Sequence, residues 1–147
     1  MISFIDIEGN IAPEDCFLSR QIVDYPAEGA QAFFTAFIER TRHSSDPASA
    51  LYAASLPHKV RAGAVRGIFE SMVALSDHGG LMDIFLGLGC PRMFMHGEQN
   101  SHLSYLADIQ SQGVELASIP GCGHFPMYSN PIEMWRRIAG FHQRHAH

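Results

Sequence analysis

The stretch Ile119–Pro131 reads Ile-Pro-Gly-Cys-Gly-His-Phe-Pro-Met-Tyr-Ser-Asn-Pro and holds the residues best spaced for chemistry. An apolar approach (Val114, Leu116, Ala117, Ile119) runs into a Pro-Gly-Cys-Gly break, with His124 just beyond it. Glycines on both sides of Cys122 permit a tight turn directly after a strand. This places an imidazole at the carboxyl end of a strand, where open α/β sheets carry their ligands and reactive groups. Pairing such an imidazole to an acid would fix its tautomer and favour its charged form. Cys122 is too close in sequence to His124 to be its nucleophile. His142, His145 and His147 could chelate a metal, but a His-rich terminus reads as a solvated tail, so no metal site is expected. His96, inside an apolar strand, reads as satisfying a local hydrogen bond.

The elements that position His124 can be taken in order. Ile2–Ile7 alternates and stops at Glu8-Gly9-Asn10, a short strand ending in a turn. Pro13 opens a helix that runs through Tyr25, with Glu14 and Asp15 in its first turn. Glu28–Arg42 is a second helix with Phe33, Phe34, Phe37 and Ile38 on one stripe. Asp46 caps a third, Pro47–Leu56, which Pro57 should end. Helices Ala62–Ser76 and Leu81–Leu88 follow, so Asn10 to Gly89 is helical with no strand. Met93–His96 is the second strand, Ser101–Gln112 a helix closed by Gly113, and Val114–Ile119 the third strand. Glu133–His142, in a helix that Pro131 initiates, turns Met134, Trp135, Ile138, Ala139 and Phe141 inward. The plan is a strand, a helical insertion, then βαβα. It reads as one domain over residues 1–147, with a strand at 1–9, a helical cap at 10–89 and a βαβα segment at 90–147.

Composition narrows the function classes. A net charge of −5 with a single lysine, Lys59, offers no footprint for nucleic acid. No apolar run reaches the ~20 residues of a membrane span. The Met-Ile-Ser-Phe-Ile start has neither a basic region nor a long apolar one, so it is not a signal peptide. Cys16, Cys90 and Cys122 are odd in number, widely spaced and without a C-x-x-C, and read as thiols of a reducing compartment. The expectation is a cytoplasmic protein without a cofactor.

Three segments together resemble the C-terminal half of the α/β-hydrolase fold. Phe4-Ile-Asp-Ile-Glu-Gly-Asn is similar to its sixth strand and exit. Pro91-Arg-Met-Phe-Met-His-Gly-Glu-Gln-Asn is similar to the seventh, and Gly121-Cys-Gly-His-Phe-Pro followed by Asn130-Pro to the eighth strand, its histidine and its last helix. The resemblance implies three mostly parallel strands with flanking helices and a helical cap between strands six and seven. It also implies that His124 is the general base of a nucleophile–His–acid triad. The usual acid position, after strand seven, holds Asn100. Some relatives, among them a group of haloalkane dehalogenases, take the acid from the end of strand six, where Glu8 stands. Glu8 is therefore the expected acid partner, with Glu98 second.

The family's nucleophile elbow, G-x-S-x-G, has no counterpart in these residues, and neither has its oxyanion hole. The expectation is therefore a truncated hydrolase without activity as an isolated chain, which self-associates or binds a ligand. The alternative is half of a split serine hydrolase, esterase or dehalogenase-like enzyme, with a separate N-terminal half supplying the nucleophile. Phe17, Phe34 and Phe125 are candidates to line a pocket for a small apolar ligand. The edge of Ile2–Ile7 is the expected seam of a homodimer.

Overall fold

The computed structural model describes residues 2–24 and 26–146 of the chain. They group into two compact units, Met1–Gly9 with Met82–His147, and Asn10–Leu81.

The first unit is built on a three-stranded sheet in the order β1 (Phe4–Ile7), β2 (Arg92–Gly97), β3 (Glu115–Ile119), all parallel. Register pairs Ile7 with Met95 and Gly97 with Ile119, so the strands end close together. The near-continuous apolar run of β2 suits its central place, since a strand covered on both faces has no solvent side. On one face Ile5, Ile7, Met93, Met95, Ala117 and Ile119 pack with Met134, Ile138 and Phe141 of α8 (Pro131–His145). On the other, Phe4 and Phe94 meet Phe85 of α5 (Leu81–Leu86), with ring centroids 5.9 and 6.5 Å apart. Tyr105 stands edge-on to Phe94 at 5.7 Å, one position before α6 (Leu106–Ser111), whose Ile109 is buried.

The second unit holds α1 (Phe17–Val23), α2 (Ala30–Arg42), α3 (Pro47–Lys59) and α4 (Ala62–His78). Ile22, Phe34, Ile38, Leu56 and Val65 form its core. Arg20 forks onto Asp77 across α1 and α4, with one hydrogen bond of 2.9 Å. That pairing lowers the Asp77 carboxyl below its ordinary range, chiefly through the hydrogen bond from Arg20.

Four sequence expectations are corrected. Trp135, expected to face inward on α8, is 62% exposed. The first strand starts at Phe4, not Ile2. Pro57 does not end α3, which continues to Lys59. A proline removes only its own N–H bond to the carbonyl four residues back, and this close to the C-terminus the last turn closes through Val60 N–H to Leu56 O at 2.9 Å. Of the helix expected over Ser101–Gln112 only Leu106–Ser111 is α-helical; irregular turns precede it, after a 3-10 turn at Glu98–Asn100. The Tyr25 end of the expected first helix lies outside the described residues. The part described is a 3-10 turn, Pro13–Cys16, leading into α1.

Candidate functional site

The carboxyl ends of the three strands bring together residues far apart in sequence. Glu8 leaves β1 with its N–H still bonded to Met95 O at 2.9 Å, which continues the parallel ladder by one residue. Its φ is +52°, a left-handed conformation that costs an ordinary residue about 1–2 kcal/mol. Among the described residues other than glycine it alone takes a positive φ. Strained backbone of this kind persists only where the surroundings over-determine it, and such positions concentrate at functional sites.

The surroundings here are hydrogen-bond donors. The Glu8 carboxylate accepts from the Gly97 N–H on Oε1 and from Asn100 Nδ2 on Oε2 at 2.8 Å. The same Oε2 lies 3.2 Å from His124 Nδ1. The Glu8 side chain is 6% exposed and that of His124 58%. A carboxylate removed from water must be satisfied by donors or cations, and here three converge on it. Because an ionised carboxylate only accepts, Nδ1 must carry the proton of the neutral ring, and Nε2 keeps its lone pair.

The turn that presents His124 is fixed at several points. Gly121 has φ +67°, and its N–H donates to Glu98 Oε2 at 2.9 Å. Glu98, the second acid candidate, is thus engaged with the turn's backbone. Gln99 N–H donates to Cys122 O at 3.0 Å, joining the exits of β2 and β3. Cys122 is fully buried, with its side chain inside the sheet–helix core. Asn130 caps α8 through Glu133 N–H at 3.2 Å and reaches back to Pro120 O at 3.2 Å, so the last helix is tied to the exit of β3. Beyond His124 the short helix α7 (Pro126–Ser129) begins. Phe125 stands edge-on to the imidazole at 4.9 Å, with Tyr128 behind it at 6.2 Å.

The other sequence candidates fall elsewhere. Phe34 is a core residue of the second unit, 6% exposed, and borders a groove of about 370 Å³ with Gln31, Thr35, Ile38, Arg42 and Val60. Phe17 is 77% exposed at the start of α1. His142 pairs with a hydroxyl instead of a carboxylate, its Nδ1 lying 3.0 Å from Ser3 Oγ at the amino end of the sheet. His145 packs edge-on to Phe141 at 4.8 Å, and His147 lies outside the described residues. No group of three or more His, Cys, Asp or Glu among the described residues could hold a metal ion. Sequence reading missed the roles of Gly97 and Asn100 as donors to Glu8. The only signal was their place at the last residue of β2 and in the turn after it, at the same sheet end.

Two solved structures share this arrangement of elements. A thermophilic esterase from Thermogutta terrifontis, solved with malate bound, superimposes with a TM-score of 0.60 at 15% identity over 97% of this chain and 56% of its own. MenH from S. aureus superimposes with a TM-score of 0.53 at 13% identity, over 100% of this chain and 60% of its own. The chain carries part of the α/β-hydrolase fold. Within that fold it spans 56% to 60% of the length of the structures it matches. No protein-family model matches the sequence, and no curated protein does. Among the described residues no helix is long and apolar enough to cross a membrane.

Proposed function

We propose that His124 and Glu8 are the general base and acid partner of a hydrolase site whose nucleophile and oxyanion donors lie outside these 147 residues. The observation that carries this reading is the buried, triply bonded Glu8 carboxylate against Nδ1 of an exposed imidazole. Such a pair is built to receive a proton at Nε2 from a hydroxyl or water and to stabilise the imidazolium that results. Among the described residues His124 hydrogen-bonds a carboxylate and no hydroxyl or thiol, so the proton donor has to be brought to it. These residues alone are then inactive by a triad mechanism, because the nucleophile and oxyanion hole carry most of the acceleration. The test has two arms. The isolated chain should show no burst with a nitrophenyl ester and no loss of rate in His124→Ala. Co-expression with the adjacent coding sequence, expected to encode a strand–G-x-S-x-G–helix elbow, should give activity that His124→Ala abolishes. A fluorophosphonate-labelled serine in the isolated chain, labelled only when His124 is present, would overturn the proposal.

A second reading, self-association, is favoured by the outer edge of the sheet. β1 is an edge strand, and Ile2, just before it, is 73% exposed. Two contacts orient α8 above it: His142 meets Ser3 beside β1, and Arg144, on the opposite flank of the helix, pairs with Glu115 of β3. Trp135, seven residues before His142, therefore shares the β1-side flank, and it is 62% exposed, with Ile132 at 83%. A two-fold axis beside β1 pairs the strand with its mate and sets the two Trp135 flanks side by side.

A further inference from the structure

The same oxygen that faces His124 is held from a second direction. Asn100 closes the 3-10 turn after β2, and its Nδ2 donates to Glu8 Oε2 at 2.8 Å while His124 Nδ1 approaches that atom at 3.2 Å. A carboxylate oxygen has two lone pairs and takes both donors. Gly97 N–H occupies the other oxygen, so β2 and the turn after it grip the carboxylate at both ends. Glu8 needs that grip. Its backbone is left-handed and its side chain is 6% exposed, while the imidazole it faces is 58% exposed.

We infer that Asn100 is a positioning residue that aims Glu8 Oε2 at His124 Nδ1 without adding a second negative charge. The inference rests on the reading of Glu8 and His124 as a base and its acid partner. Only the NH₂ end of a carboxamide can face an ionised carboxylate, which fixes the orientation of Asn100 as a donor. An aspartate in the same place would set two carboxylates within hydrogen-bond distance, and like charges that close must share a proton. The Nδ1 proton would then meet an acceptor whose charge varies. The other carboxylates at this end of the sheet are occupied by backbone. Glu98 takes Gly121 N–H at 2.9 Å, and Asp6 takes Gly9 N–H at 2.8 Å. Asn100 thus leaves Glu8 the one acid addressed to the imidazole, and the tautomer with a bare Nε2 follows from where Asn100 points.

Nitrogen-15 NMR of the His124 ring in the full chain at pH 8 tests this directly. Wild type should show a protonated Nδ1 and a bare Nε2, with an Nδ1 proton that exchanges slowly. Asn100→Leu keeps the branched shape and heavy-atom count and drops the donor. It should speed exchange of the Nδ1 proton about fivefold, the effect of losing one ordinary hydrogen bond, and populate the other tautomer. A packing role would be preserved by leucine and would leave both readouts unmoved, which overturns the inference. Asn100→Ala repeats the measurement if the leucine variant does not fold. Glu8→Ala separates the two readings: if it leaves the ring tautomer unchanged, the pairing of Glu8 with His124 fails. If it shifts the tautomer while both Asn100 variants do not, only the role of Asn100 fails.

Discussion

Gly97→Ala asks how tightly the β2 and β3 exits must meet to form the site. Gly97 has φ −68° and ψ 150°, which alanine adopts without strain, so backbone preference does not oppose the change. Space does. A Cβ at Gly97 would lie 2.5 Å from the Cys122 carbonyl oxygen and closer still to that of Gly123. Ordinary contact begins near 3.4 Å, and the obstacles are backbone atoms of the turn that carries His124. Moving that turn away disturbs the bond from Gln99 N–H to Cys122 O and shifts the N–H that holds Glu8. Overpacking of this kind costs about 1–3 kcal/mol, and a weakened hydrogen bond adds about 1 kcal/mol, so the expected loss is roughly 2–4 kcal/mol. With a urea m-value of ~2 kcal/mol/M, the midpoint falls by about 1–2 M. The chain's single tryptophan, Trp135, lies on α8 in the same unit and reports the transition by fluorescence. Gly67→Ala, followed by far-UV circular dichroism because it lies in the other unit, is the control, since it sits inside α4 with nothing within 4 Å of the added methyl. It should stabilise by about 0.5–1 kcal/mol, as alanine does in a helix interior. If Gly97→Ala stays within about 0.5 kcal/mol of wild type by the same urea titration, the close approach is not what holds the site together.

The β1 edge and the Glu133 ion pairs each give a further expected outcome. Sedimentation of the isolated chain at micromolar concentration should give a dimer burying more than ~1,000 Å², and Ile5→Pro, which removes a ladder donor, should give monomer; a monomeric wild type removes the self-association reading. Glu133 is held at about 2 by its hydrogen bonds to Arg136 and then Arg137 on α8. Its folded value lies below its ordinary value of 4.5, so this contribution to stability is full above pH 4.5 and is lost as pH falls towards about 2. Unfolding monitored at Trp135 across that range should show the loss, and Glu133→Gln should flatten it; an equal slope in both proteins refutes the assignment.

Local signals in the chain determined much of this architecture. The apolar Met93–Met95 run of β2, Pro131 at the first turn of α8, Asp46 capping α3 and Gly113 before β3 are each readable because their causes act within a few residues. His124 was legible for the same reason, from the glycines that frame its turn. The family resemblance ranked Glu8 ahead of Glu98, but which carboxylate lies against His124 depends on the tertiary structure. Glu8 and His124 are 116 residues apart, and both Glu8 and Glu98 stand at strand ends. Parallel register brings β1 and β2 to a common end, and there Glu98 bends back to the Gly121 N–H while Glu8 turns in on a left-handed backbone. No periodicity encodes that choice, because it depends on donors from β2 and the turn after it meeting one buried carboxylate. Pro57 stays inside α3 for a local reason, since so near the C-terminus it removes one bond and the last turn still closes from Val60 N–H to Leu56 O.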